Sequence, residues 1–213
     1  MYIIVNCAIS VDGKLALKTR RQTRISSDED IARVHNLRNS VDAVLVGVGT
    51  VLADDPKLTV KEKYVSNPKQ PVRVVLDSQG RTPENAQVLQ GTAKTVIVTA
   101  EECTRQIGNA VMLRCGKGKV DVEKAIEELE KMGIRRLLVE GGGTVIWEFL
   151  SKKLADEVNV YVGSIVIGGK DAPTMADGEG AGSIEEVVKL KLQGWEKLGD
   201  GMLLRYLVEK CVR

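Results

Sequence analysis

Short β-branched runs recur along this chain, and the most apolar of them are apolar at successive positions rather than alternate ones. The runs are Tyr2–Ile9, Asp42–Val48, Val72–Leu76, Thr95–Thr99, Val111–Arg114, Arg136–Val139 and Glu157–Val162. A strand with one face in water alternates polar and apolar residues. One that reads AVLVGV or VRVVL has to be covered on both faces, as in a parallel sheet between helix layers. Each run leads through a loop into a helix-like stretch. That alternation argues for right-handed βαβ crossovers and an α/β architecture.

Two of the helices carry start and stop signals. Ser26-Ser27-Asp28-Glu29 reads as a capping box, with Ser26 at the N-cap and Glu29 three residues on. Ile31, Val34 and Leu37 then share one face. Asp121 caps a second helix whose Val122, Ala125, Ile126 and Leu129 form the apolar stripe, and Gly133 ends it. Near the C-terminus, Val187–Leu198 and Met202–Lys210 flank Gly199-Asp200-Gly201, a β-hairpin with a three-residue loop. The expected fold is therefore a mixed, mostly parallel sheet flanked by helices and closed by a C-terminal antiparallel hairpin. With no repeat, linker or low-complexity tract, residues 1–213 read as a single domain.

Composition removes several function classes. Net charge is +2 with both signs interspersed, so the basic stripe of a nucleic-acid binder is missing. One histidine, and cysteines (Cys7, Cys103, Cys115, Cys211) in no C-x-x-C pair, argue against a metal site. Those cysteines read as free thiols of a reducing cytoplasm. MYIIVNCAIS lacks the basic start and cleavage site of a signal peptide, and no segment reaches the ~20 apolar residues of a membrane helix. A cytoplasmic protein is expected.

Ligands of open α/β sheets bind where strand ends run into loops and helix N-termini. Gly141-Gly142-Gly143-Thr144 follows the strand at Leu137–Val139 and opens a helix. Three successive glycines let the backbone approach a ligand and aim N–H groups at an anion, where a tight turn needs only one. Glu140 beside them reads alone as a solvated or helix-start acid. Gly47-Val48-Gly49-Thr50 begins like a dinucleotide fingerprint, but Leu52 stands where the third glycine belongs. Thr50 is expected at a helix start, with Pro56 ending a single turn.

Asp77-Ser78-Gln79-Gly80-Arg81 suits either an NADPH 2′-phosphate or an unliganded polar turn, and the loop around Gly116 is equally open. Asp12-Gly13 is a turn dipeptide that would give Lys14 a defined direction, but turn chemistry does not explain the identity of Lys14. Arg38 reads as a ligand cation or as compensation of its helix dipole. His35 reads as a surface or boundary residue.

Taken in order, Ser10–Lys14 (SVDGK), Asn36–Arg38 (NLR), Gly47–Val60 (GVGTVLADDPKLTV), Arg73–Ser78 (RVVLDS), Glu140–Thr144 (EGGGT) and Gly168–Thr174 (GGKDAPT) resemble the riboflavin-pathway reductase family. Its fold is dihydrofolate-reductase-like, and the likeness covers essentially the whole chain. The chain looks like the stand-alone archaeal or fungal type, without the zinc deaminase domain that bacterial relatives carry ahead of the reductase.

The resemblance implies a reductase of 2,5-diamino-6-ribosylamino-4(3H)-pyrimidinone 5′-phosphate, using NADPH and acting as a homodimer. It places cofactor contacts at Thr50, Asp54, Asp77, Ser78 and Gly141–Thr144, and substrate contacts at Arg38, Leu58 and Glu140. Lys61 stands where bacterial relatives have Arg, and Arg24 where they have Trp. Gly80, Arg81 and Gly116 complete the expected cofactor set, and Lys14 is the expected proton donor, because a partly buried lysine can have the lowered pKa such work requires. Two rivals stand beside this reading. A pterin reductase of the same fold would need a carboxylate in the first long helix, whose body Ile31–Asn39 has none. A non-catalytic NADPH sensor would bind cofactor without turnover.

Overall fold

A computed structural model describes residues 1–20 and 23–210; Cys211 lies outside them. Among the described residues the elements run β1 (Tyr2–Ser10), α1 (Asp28–Asn39), β2 (Ala43–Gly47), α2 (Val48–Asp54), β3 (Val72–Leu76), β4 (Thr95–Thr99), β5 (Val111–Arg114), α3 (Val122–Lys131), β6 (Arg136–Gly141), α4 (Gly143–Ser151), β7 (Glu157–Gly163), β8 (Leu190–Leu198) and β9 (Gly201–Val208). The chain divides into two compact units: Met1 with Val34–Leu138, and Tyr2–Arg33 with Val139–Arg213. The chain passes between them after Met1, inside α1 and inside β6.

In the first unit the strand order is β5-β4-β3-β2. The pairs β2–β3, β3–β4 and β4–β5 are parallel. Every residue of β2 and β4 is buried, as consecutive apolar positions require. Arg73, in the middle of β3, is buried too; its guanidinium donates to the carbonyls of Gln90 and Ala93, and burial lowers its pKa. Asp121 caps α3 as its sequence predicts, accepting from the N–H groups of Glu123 and Lys124. Gly133 follows at φ +90°.

In the second unit the order is β1-β7-β9-β8. β1 and β7 are parallel; β7–β9 and β9–β8 are antiparallel. The sheet is thus mixed and mostly parallel, with an antiparallel C-terminal hairpin. Two expectations shift here. Leu198 pairs with Gly201, so the hairpin turn is only Gly199-Asp200, with Gly199 at φ +60°. β8 also starts later than expected, at Leu190, after a short 3-10 turn over Ile184–Glu186.

The cap of α1 moves one residue along. Ser27, not Ser26, accepts from the Asp30 N–H (3.2 Å), and Ser26 Oγ donates to the Asp30 carboxylate (2.6 Å). The motif contains two overlapping serine–acid spacings. The one that wins buries Asp30, which Arg33 Nε also contacts at 2.8 Å.

Candidate functional site

The first unit gathers the expected residues on loops that leave β2, β3 and β5 at their carboxyl ends. α2 follows β2 directly, with Gly47 at its N-cap. It runs from Val48 to Asp54, so Thr50 lies in its first turn as expected, but the helix is about two turns long rather than one, and Pro56 follows its C-cap. Asp55 ends it in the left-handed conformation (φ +43°), and its carboxylate accepts from the Gln87 N–H at 2.7 Å.

Side chains of α1 and Gln70 hold the backbone of the segment after α2 at Thr59, Val60 and Lys61. Leu58 holds φ +52° while its side chain is 2% exposed. A bulky residue there is strained, and the buried side chain is what holds it. Arg38 Nη1 donates to the Thr59 carbonyl (3.1 Å), and Gln70 brackets Val60, accepting from its N–H and donating to its carbonyl (both 2.9 Å). The Lys61 N–H donates to His35 Nδ1 at 3.3 Å. His35, expected at a surface or boundary, is 5% exposed. Lys61 itself projects from this scaffold with an exposed side chain.

After β3, Asp77 is fully buried and turned into its own loop. It accepts from the Arg81 N–H (2.9 Å), the Thr82 N–H (2.7 Å) and Thr82 Oγ1 (2.7 Å). Gly80 sits at φ +67°, where a Cβ would lie 2.8 Å from Cys103 Sγ. Ser78 Oγ accepts from the Val120 N–H (3.0 Å), joining this loop to the one after β5. Gly116 turns that second loop at φ +85°, where a Cβ would meet the Lys119 carbonyl at 2.6 Å. Arg81 is exposed. The first unit thus brings Ser78, Gly80, Arg81 and Gly116 onto two loops joined at their base.

In the second unit, the loop after β1 and the loop after β7 are laced together. Asp12 accepts from Ser10 Oγ (2.7 Å) and from the N–H groups of Ile167 (3.0 Å) and Gly168 (2.7 Å). These bonds hold its carboxyl down at a pKa of about 2, Ser10 contributing most. Lys14 forms a β-bridge with Thr174, and its half-buried ammonium donates to the Ala172 carbonyl at 3.4 Å. Asp177 caps the far end of this lacing, accepting from Thr174 Oγ1 at 2.6 Å.

The Gly-rich loop borders the same lacing. Glu140 is the penultimate residue of β6 and half-buried; Gly141 is at φ +124° with nothing near its Cβ direction, and Gly142 is the N-cap of α4. Gly143 differs, because a Cβ there would stand 2.7 Å from Asp177 Oδ2. Its lack of a side chain serves packing, whereas Gly141, itself buried, has free space where a Cβ would lie, just before a helix N-terminus. Thr144 opens the first turn, exposed.

A cleft of about 500 Å³ opens at the start of α1, lined in part by Arg24, Ser26, Glu29 and Asp200. None of the nominated residues lines it. Arg24 is exposed there and ion-paired with Asp28 at 2.6 Å. Sequence reasoning missed Asp12, His35, Gln70 and Asp177 as organisers of these loops. Only Asp12 carried a local signal, the Asp-Gly turn. Among the described residues, no helix is long and apolar enough to cross a membrane.

Residues 1–204 match the family model of the RibD C-terminal domain. The chain is 40% identical over 213 residues, 98% of each chain, to a protein of Methanothermobacter thermautotrophicus named 2,5-diamino-6-ribosylamino-4(3H)-pyrimidinone 5′-phosphate reductase. An Archaeoglobus fulgidus protein of the same name is 40% identical over 212 residues, 94% of each chain. Among solved structures, the Thermotoga maritima diaminohydroxyphosphoribosylaminopyrimidine deaminase/5-amino-6-(5-phosphoribosylamino)uracil reductase superposes with a TM-score of 0.82 at 27% identity. That match covers 97% of this chain and 56% of the other, so the chain spans little more than half of that longer protein.

Proposed function

The chain belongs to the RibD C-terminal domain family of reductases, and on that premise we propose that it uses NADPH to reduce 2,5-diamino-6-ribosylamino-4(3H)-pyrimidinone 5′-phosphate to its ribitylamino form. The observation that carries the reading is full-length identity of 40% to relatives that bear this reductase name. The open, positive-φ Gly141 before the N-terminus of α4 is the feature best suited to a dinucleotide pyrophosphate.

NADPH would supply the hydride that reduces C1′. The protein's part is to bind, align and protonate. Gly141, Gly142, Gly143 and Thr144 would hold the pyrophosphate, and Thr50 and Asp54 the nicotinamide half. Ser78, Gly80, Arg81 and Gly116 would line the 2′-phosphate, with Asp77 shaping their turn from inside. Arg38 and Lys61 would clamp the substrate's 5′-phosphate, and Glu140 would accept hydrogen bonds from the pyrimidine amino groups. Leu58, its side chain buried, would offer only its backbone.

Lys14 would protonate the ring oxygen as the C1′–O bond breaks and the exocyclic nitrogen loses its proton, giving an open-chain imine. Hydride addition to C1′ and one further proton to nitrogen complete the ribitylamine. A pterin reductase would need a helix carboxylate facing its ligand, and Asp30 is instead buried against Ser26 and Arg33. We place the enzyme in the cytoplasm as a homodimer. The apolar stripe of Leu190, Leu192, Trp195 and Met202 on the hairpin, each at least 36% exposed, supports that assembly.

The test is NADPH oxidation followed at 340 nm with the deaminated and non-deaminated ribosylamino phosphates side by side. Turnover of the non-deaminated compound is expected. Oxidation with neither, or with dihydrofolate instead, overturns the proposal.

A further inference from the structure

His35 is the chain's only histidine, and its ring is committed on several sides. It is stacked on Tyr64, with centroids 4.5 Å apart and planes within 15°, and Nδ1 accepts the Lys61 N–H. An imidazole nitrogen that accepts cannot carry a proton, so this bond requires the neutral ring with its hydrogen on Nε2. The Lys61 carbonyl is also engaged, accepting from the Tyr64 N–H at 3.0 Å. Both backbone groups of Lys61 are thereby fixed, and the side chain starts from a set position.

We infer that neutral His35 is a positioning residue for Lys61, and that protonating it releases the segment carrying the phosphate-binding ammonium. The inference rests on the reading of Lys61 and Arg38 as the phosphate clamp. Arg38 lies one turn further along the same helix and grips Thr59, so one helix places both cations: Arg38 directly, and Lys61 through His35. Tyr64 is stacked on the ring, and Lys63 Nζ lies 4.5 Å over the Tyr64 ring. Glu62, between the two lysines in sequence, is exposed. Protonating the ring removes the Nδ1 acceptor. The effect therefore appears as weaker phosphate capture on the acid side.

The test compares wild type, His35→Asn, His35→Phe and Lys61→Ala on the phosphorylated substrate. Asparagine keeps an acceptor near the Nδ1 position without titrating, and phenylalanine keeps the stack without an acceptor. At about pH 8, His35→Phe is expected to raise KM roughly three- to tenfold, as loss of one hydrogen bond to a positioned group implies, with kcat little changed. His35→Asn should stay near wild type. The substrate phosphate has its own second ionisation near ~6, so the decisive quantity is a ratio. Between about pH 8 and about 5.5, wild-type KM should rise several-fold more than that of His35→Asn. Parallel pH profiles in those two proteins overturn the inference, as does an unchanged KM in His35→Phe while Lys61→Ala raises it. If Lys61→Ala leaves KM unchanged, the phosphate-clamp reading itself fails, and the inference with it.

Discussion

The backbone of Gly143 lies against the carbonyl of Thr174 with no room for a side chain, since a Cβ there would stand 2.5 Å from that oxygen. Asp177 closes the other side. Gly143→Ala must therefore displace the 174–177 turn, at an expected cost of about 1–3 kcal/mol, read as a lower urea midpoint. Gly141, open at its Cβ, would meet only the conformational penalty of positive φ. A Gly143→Ala protein as stable as wild type would show that this contact is loose.

Asp12 makes the lacing of the β1 and β7 loops sensitive to acid. Its carboxyl is held down to about 2 from 3.8 by Ser10 and by the backbone of Ile167 and Gly168. A depressed carboxylate pKa contributes stability above its unfolded value and loses it as pH falls through the folded one. Wild type and Asp12→Asn should differ in urea midpoint at about pH 5 and converge as pH falls towards about 2. A constant gap across that window would remove Asp12 as the cause.

Cys7 is buried on β1, and burial pushes its thiol up to about 12, against a smaller lowering by Arg33 and a raising by Asp30. At about pH 8 roughly one molecule in ten thousand then carries the thiolate, which is the reactive form. Iodoacetamide on the native protein should label Cys103, which is half-exposed, and spare Cys7. Mass spectrometry of tryptic peptides reads the outcome; early modification of Cys7 would mean that β1 opens.

On the hairpin, Leu192 and Trp195 face the same side, paired with Tyr206 and Leu204 across a bulge. Trp195 is 63% exposed. If two copies meet here, Trp195→Glu places a charge in a dry contact and should weaken the dimer at least about tenfold in sedimentation equilibrium. An unchanged dimer would move the interface elsewhere.

The strands were the most legible part of this chain. Val72–Leu76 and Thr95–Thr99 form over the residues that their β-branched runs predict, because burial on both faces leaves a pattern in consecutive positions; Val111–Arg114 also forms as expected, although as an edge strand it is only partly buried. Ends were less legible. Ser26 and Ser27 offer competing caps, and only the burial of Asp30 decides between them. The length of α2 was also hidden: its β-branched and glycine content reads as a single turn where two form. Glycine clusters pointed to the loops of the candidate site, but not to what shapes them. His35 meets Lys61 and Asp12 meets Gly168 across 26 and 156 positions, and no local pattern encodes such pairs.

The passage of the chain through β1 has a consequence for how it is made. Ile4 lies opposite Glu157, so the first strand leaves the ribosome long before β7 exists to pair with it. At ~5–20 residues per second the wait is roughly 8–30 s, during which an almost wholly apolar strand has no pairing partner on that edge. Residues 34–138 are contiguous and can condense meanwhile. Newly synthesised chains should therefore be most vulnerable to chaperone capture and aggregation at their N-terminus, and a polar substitution at Val5 should improve nascent solubility while costing the finished protein stability.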